Sequence, residues 1–160
     1  MKRFLFLILI LSFNVSAEEQ AITQWAYTQL ERAQANLDKG NVEAAETIYY
    51  DNSNGTWSSR SYDHFVFLRT YSYFLLSFDR NEEALEYLKQ ASLKRDMPPY
   101  DIFELNFTLG QVYYVTDDRE NAKKTLLKWV EIGEKNKLDL KPEGYAILAT
   151  IYAQDEEWGN

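Results

Sequence analysis

The sequence reads Asn106-Phe-Thr-Leu-Gly-Gln-Val-Tyr113 and then, after a short gap, Ala122-Lys-Lys-Thr-Leu126, and these two segments decide the fold. Gly110 stands twelve positions before Ala122, and both segments carry apolar residues at helical spacing. We expect two antiparallel helices joined by a turn, with the second helix approaching closely at Ala122 because Gly110 has no side chain. Tyr113 then fills the space beside this close contact.

The rest of the chain repeats this hairpin. Small residues on the second helix of each pair recur at a nearly constant interval, at Ala45, Ala84 and Ala122. Twelve positions before each of them stands another compact residue, and a fourth follows at the same interval after the last: Ala33, Ser72, Gly110 and Ala149. One helix pair in each fixed period is the signature of an α-solenoid, so the chain is predicted to be all-α.

Breaker residues set the limits of the predicted helices. The apolar spacing predicts helices over residues 22–37, 42–50, 62–78, 82–93, 102–116, 120–135 and 142–154. Gly40 is expected in the left-handed conformation that ends a helix, Asp101 is expected to cap the fifth helix, and Pro142 suits a first helical position. The polar stretch 51–61 is predicted to be a loop, in which Trp57 either packs on the neighbouring hairpin or is exposed for contact.

The third copy resembles the tetratricopeptide repeat (TPR) family. That family's pattern is Trp-x2-Leu-Gly-x2-Tyr, then Ala-x3-Phe-x2-Ala, then Pro; the matching residues here are Leu109, Gly110, Tyr113, Ala122, Leu126 and Pro142. The resemblance implies a right-handed solenoid of antiparallel hairpins with about three repeats (22–61, 62–100 and 101–141) and a C-terminal capping helix in a half repeat (142–160). The interval between copies exceeds the family's usual period of about 34 residues, which predicts longer helices or connectors. A looser helical-repeat relative and a plain bundle with accidental periodicity are the alternatives.

The N-terminus has the features of a secretory signal peptide. Lys2 and Arg3 precede an apolar run over residues 4–11, and Val15-Ser16-Ala17 offers small residues at a cleavage site. We predict that residues 1–17 are removed, which leaves a helical domain over 18–160 and changes the net charge from −8 to −10. The apolar run is too short for a membrane-spanning helix. A chain without cysteine also suits export to a bacterial periplasm, so membrane contact is expected only before cleavage.

Composition excludes several classes of function. The net charge of −8 argues against a nucleic-acid partner. The chain has one histidine and no cysteine, so no metal or cofactor is predicted. His64 lies at a helix start, where we expect it to face solvent or to cap rather than to catalyse. Carboxylate pairs such as Glu82-Glu83 lie at helix starts, where the helix dipole favours them, and no enzyme is predicted.

The family resemblance implies a concave surface lined by the first helix of each hairpin. Its best candidate residues for holding a partner are Tyr27, Gln34, Arg69, Tyr73, Phe107 and Gln111. Aromatic, Arg and amide side chains suit an extended peptide or a helix. The alternative is that these aromatics only pack between adjacent repeats. Arg69 alone does not make the Lys/Asn clamp with which the family holds peptide carboxylates, so that activity is not implied.

The sequence therefore predicts a non-catalytic protein-interaction scaffold in the cell envelope, with a protein or peptide partner in the groove. An acidic inhibitor or immunity-type protein that blocks a basic partner is the alternative. Self-association is also open, because Tyr152 and Trp158 leave apolar surface near the C-terminus.

Overall fold

A computed structural model describes residues 20–158, with side chains described as far as Gln154. Within this range the chain forms α-helices and no strands. The helices are α1 (Gln24–Asp38), α2 (Val42–Ser53), α3 (Tyr62–Leu76), α4 (Asn81–Ser92), α5 (Pro99–Val115), α6 (Arg119–Asn136) and α7 (Pro142–Trp158).

The helices are stacked as successive antiparallel hairpins. The pairs α1–α2, α3–α4 and α5–α6 make the most extensive contacts, α2 and α4 also pack on the following hairpin, and α7 lies against α5 and α6. This arrangement confirms the predicted all-α array. Helix α5 begins at Pro99 rather than at 102, because proline is favoured in the first helical turn. Asp101 therefore lies inside that turn, and the prediction that it caps the helix was wrong.

The apolar core is divided into clusters that follow the chain. One joins the first and second hairpins around Tyr49 and Tyr71, and the next lies between α3, α4 and α5 around Leu88 and Leu105. The third surrounds Trp129, which is fully buried between α5, α6 and α7. Each hairpin is thus held mainly by its immediate neighbours, as in other helical-repeat arrays.

Gly110 is the site of close helix approach, as the sequence predicts. A Cβ atom at Gly110 would lie 2.6 Å from Leu126 Cγ, so any larger residue would displace the Leu126 side chain or the helices that carry the two residues. The residue that packs on Gly110 is therefore Leu126, one helical turn beyond Ala122. A Cβ at Gly144 would overlap the Trp129 ring in the same way. The missing side chain at Gly144 therefore allows α7 to lie against Trp129.

The three hairpin turns share one backbone feature. Gly40, Asp79 and Asp117 occupy equivalent positions and have φ of +78°, +58° and +60°. Gly40 thus takes the left-handed conformation predicted for it. Aspartate is among the few other residues that adopt this conformation readily. Because α1, α3 and α5 run in the same direction, these turns lie at the same edge of the array, which we call the turn edge.

Two buried aspartates at equivalent positions tie each hairpin to the one before it. The Asp63 carboxylate accepts hydrogen bonds from the Thr23 backbone N–H (2.9 Å) and hydroxyl (2.6 Å). The Asp101 carboxylate accepts from the Tyr62 hydroxyl (2.8 Å) and from the Arg69 guanidinium (2.6 Å). Both aspartates are buried. These equivalent contacts align the first helices of successive hairpins.

Candidate partner-binding face

Helices α3 and α5 present a shared face of uncharged side chains, which we call the α3–α5 strip. Its residues are half-buried and lie on the accessible sides of the two helices: Val66, Thr70, Tyr73, Thr108 and Gln111. Thr70 and Tyr73 are equivalent to Thr108 and Gln111 of the next hairpin, so the two helices contribute matching positions. The Tyr73 and Thr108 hydroxyl oxygens lie 3.4 Å apart and join the two helices across the strip.

The charged groups beside the strip are already paired within the molecule. Arg69 contacts Asp101 at 2.6 Å, and the Arg69 side chain is 22% exposed. Glu104 occupies the α5 position equivalent to Val66, at the end of the strip, and contacts Lys141 at 2.7 Å. Arg69 therefore stabilises the contact between hairpins and is not a free cation for a ligand. The strip between these pairs presents hydroxyl, amide, aromatic and aliphatic groups.

Phe107 lies in the core. It is 7% exposed, and its ring centroid is 5.2 Å from that of Trp129. Lys141 Nζ lies 4.6 Å from the centroid of the Phe107 ring. The repeat pattern alone would place Phe107 beside the strip. In the structure, Trp129 of α6 packs against the Phe107 ring and buries it. Substitution of Phe107 would therefore damage packing before it reported on binding.

Helix α1 extends the strip at its N-terminal end. Tyr27 and Gln34 are equivalent to Val66 and Tyr73 of the next hairpin. Tyr27 is the more accessible of the two, at 48% exposed, and a hydrogen bond to the Glu31 carboxylate raises its pKa. Of the six residues predicted to line the groove, four share this face, whereas Arg69 is paired at its margin and Phe107 is buried. The four are Tyr27, Gln34, Tyr73 and Gln111.

His64 is buried, and the expectation that it faces solvent or caps α3 was wrong. Its Nε2 atom lies 2.8 Å from the Ser53 carbonyl oxygen, and the ring stacks on Trp57 at 5.4 Å between centroids. Burial lowers the pKa of His64, the Ser53 hydrogen bond opposes this, and the positive charge of Lys94 adds to the lowering. The Ser61 hydroxyl caps α3 by accepting from the His64 backbone N–H.

Trp57 packs on its neighbours rather than standing free. Its ring lies 5.8 Å from Trp25 and 6.0 Å from Phe67 between centroids, and its indole N–H donates to the Asn52 carbonyl at 3.0 Å. The one signal that could have indicated this contact is an aromatic residue in a polar loop close to the chain's one histidine.

Among residues 20–158, no group of three His, Asp or Glu side chains could hold a metal ion. None of the helices in that range combines the length and the apolar character that crossing a membrane requires. An open depression of about 290 Å³ lies between Pro99 and Ile102 of α5 and the C-terminal half of α6. None of the six predicted groove residues lines it.

Comparison with known proteins supports the predicted fold. No family model matches the sequence, and no curated protein matches it. Among solved structures, the chain is similar to the TPR domain of Sgt2 from Aspergillus fumigatus, with 17% sequence identity and a TM-score of 0.59. The alignment covers 87% of this chain and 84% of that chain. At this identity the likeness concerns the fold alone: the chain has the TPR-like fold of stacked helix hairpins that its third copy resembles.

Proposed function

We propose that this chain is a non-catalytic protein-interaction module that holds a partner segment against the α3–α5 strip. The observation that carries the proposal is the pairing of charges around the strip. Because Arg69 is bonded to Asp101 and Glu104 to Lys141, the accessible groups between them are uncharged donors, acceptors and apolar surface.

The strip has the chemistry to hold an extended peptide or a helix. The Gln111 amide both donates and accepts hydrogen bonds, as do the hydroxyls of Thr70 and Tyr73, and such groups can pair with a peptide backbone. The Tyr73 ring adds flat apolar area with few rotatable bonds, which is typical of residues that dominate binding interfaces. The half-buried setting of these side chains lowers the entropy lost when a partner orders them.

The proposed setting is the bacterial periplasm. It rests on the predicted signal peptide, residues 1–17, which lies outside the described residues. A signal peptide followed by a cysteine-free helical domain supports export before the partner is met.

Site-specific photocrosslinking tests the proposal. A photoreactive phenylalanine derivative replaces Tyr73 or Gln111 in the full chain, and a control carries it at Leu93, which is 75% exposed after α4. After irradiation in a native envelope extract, we expect discrete adducts from positions 73 and 111 and none from 93. Adducts of equal yield at position 93, or none at the strip, would overturn the proposal. Circular dichroism confirms that each variant keeps its helices.

A further inference from the structure

We infer that the partner segment is cationic, with its uncharged side on the α3–α5 strip and its Lys or Arg side chains over the carboxylates of the turn edge. The inference rests on the proposed function and adds the chemistry of the partner to it. It arises from the unequal distribution of charge on the two sides of the strip.

The strip ends at the turn edge. Asp38, Ser77 and Val115 are equivalent positions, one helical turn beyond the residues that line the face, and all three are exposed. Asp79 comes two positions after Ser77, in the turn between α3 and α4, and is exposed. A segment that lies across Tyr73 therefore passes close to carboxylates on this side.

Further acidic groups reinforce this margin. Asp118 caps the N-terminus of α6, where its carboxylate accepts from the Asn121 backbone N–H at 3.2 Å. Exposed glutamates also begin the second helix of each hairpin, at Glu43, Glu82 and Glu120. Acidic residues favour such positions because of the helix dipole, and as a result all of them lie at the same edge.

The cations at the turn edge do not balance these carboxylates. Arg80 is held by Glu46 (2.5 Å) and Glu83 (2.6 Å), and Arg119 contacts Asp117 at 3.1 Å. Lys39 is exposed beside Gly40. The opposite edge, where one hairpin connects to the next, also has exposed carboxylates, among them Asp96, which pairs with Arg60, and Glu131, Glu134 and Asp139. It differs because it carries further exposed or half-exposed cations, namely Lys94, Arg95, Lys135 and Lys137.

This asymmetry selects the partner by charge and by orientation. Exposed carboxylates attract a cationic segment over roughly one Debye length, about 10 Å at 0.1 M salt. The same carboxylates repel an acidic segment. The uncharged strip offers no ion pair to a charged residue of either sign. A partner with basic residues along one side and uncharged residues along the other satisfies both surfaces at once.

Selection from a random peptide library displayed on phage tests the inference with the protein immobilised as the full mature chain. We expect the selected peptides to be enriched in Lys and Arg. One selected peptide, labelled and measured by fluorescence anisotropy, should then bind about tenfold more weakly when salt rises from about 50 mM to about 500 mM.

The matched variants change charge without changing shape. The triple variant D38N/D79N/D118N keeps the fold because Asn tolerates the left-handed turn at position 79 and caps helices as Asp does. We expect this variant to bind the selected peptide about tenfold more weakly than the parent protein does. The control E131Q/E134Q/D139N removes the same charge from exposed positions at the opposite edge and should alter binding less than about twofold.

The outcomes separate the inference from the proposed function. Peptides without basic enrichment, or equal binding to both triple variants, overturn the cationic partner. If Tyr73→Ala still abolishes binding in that case, the strip remains the binding face. Selected peptides that bind the Tyr73→Ala variant as well as the parent protein overturn the proposed function itself.

Discussion

Gly110→Ala tests whether the approach of α6 to α5 depends on a missing side chain. The new Cβ would lie 2.6 Å and 2.7 Å from Leu126 Cγ and Cδ2, and Leu126 is fully buried, so it cannot swing into solvent. Overpacking of this kind costs about 1–3 kcal/mol, and the better helix propensity of alanine returns about 1 kcal/mol. Because the clash includes the branch point of Leu126, we expect an overpacking cost in the upper part of this range and a net loss of about 1–2 kcal/mol.

A double-mutant cycle with Leu126→Ala makes the assay specific. Leu126→Ala alone leaves a cavity and costs about 2–5 kcal/mol. In the double variant the new methyl group occupies part of that cavity, so the combined loss should be smaller than the sum by about 1–2 kcal/mol. Urea unfolding followed by circular dichroism measures all four proteins. Stabilisation by Gly110→Ala, or strict additivity of the two changes, would refute the close contact.

Three further predictions concern buried or strained groups. Because burial lowers the pKa of His64, the unfolded chain takes up a proton below about pH 6.5 that the folded chain does not, so the free energy of unfolding should fall as pH drops from about 7.5 to about 5.5. His64→Gln should remove this part of the pH dependence, and a proton NMR titration of the single histidine would contradict the argument if its pKa were at or above about 6.5. Asp101→Asn should cost about 2 kcal/mol, less than the loss of a partner in a fully buried pair, by leaving the half-buried Arg69 without its counter-charge, whereas Asp96→Asn, in an exposed ion pair, should cost less than about 0.5 kcal/mol in the same urea assay. Asp79→Val should lower the free energy of unfolding by about 1–2 kcal/mol because a β-branched residue resists φ of +58°, while Asp79→Gly should not lower it; equal effects of the two changes would show that the turn is unstrained.

The array of hairpins was predictable because local chemistry repeats. Apolar spacing, turn residues and the recurrence of Ala45, Ala84 and Ala122 each depend on only a few neighbouring residues. The helix limits were less certain, since Pro99 extends α5 by a turn through a backbone preference that competes with the expected cap at Asp101.

The contacts of the candidate site were less predictable. Arg69 meets Asp101 far along the chain, and no local pattern distinguishes that pair from a solvent-exposed arginine and a helix-start aspartate. Phe107 occupies a groove position by period, yet its burial depends on the size of Trp129 in the next helix. His64 is similar, because its burial depends on where Trp57 comes to rest after a polar loop. Side chains that meet over long separations decide such positions.

Because Asp63 and Asp101 are equivalent, a second copy of the second hairpin could pack on the first copy through the same contacts. If residues 63–100 were duplicated in tandem, the Asp63 of the added copy would follow Tyr100 directly and occupy the place that Asp101 holds now. Tyr62 and Arg69 of the preceding copy would then meet it with the donors that they already offer to Asp101. In such a lengthened chain the added hairpin could pack on its neighbour through these hydrogen bonds without further substitutions, and the strip would gain one helix. The spacing between these two aspartates would thus allow the protein to be lengthened by whole hairpins.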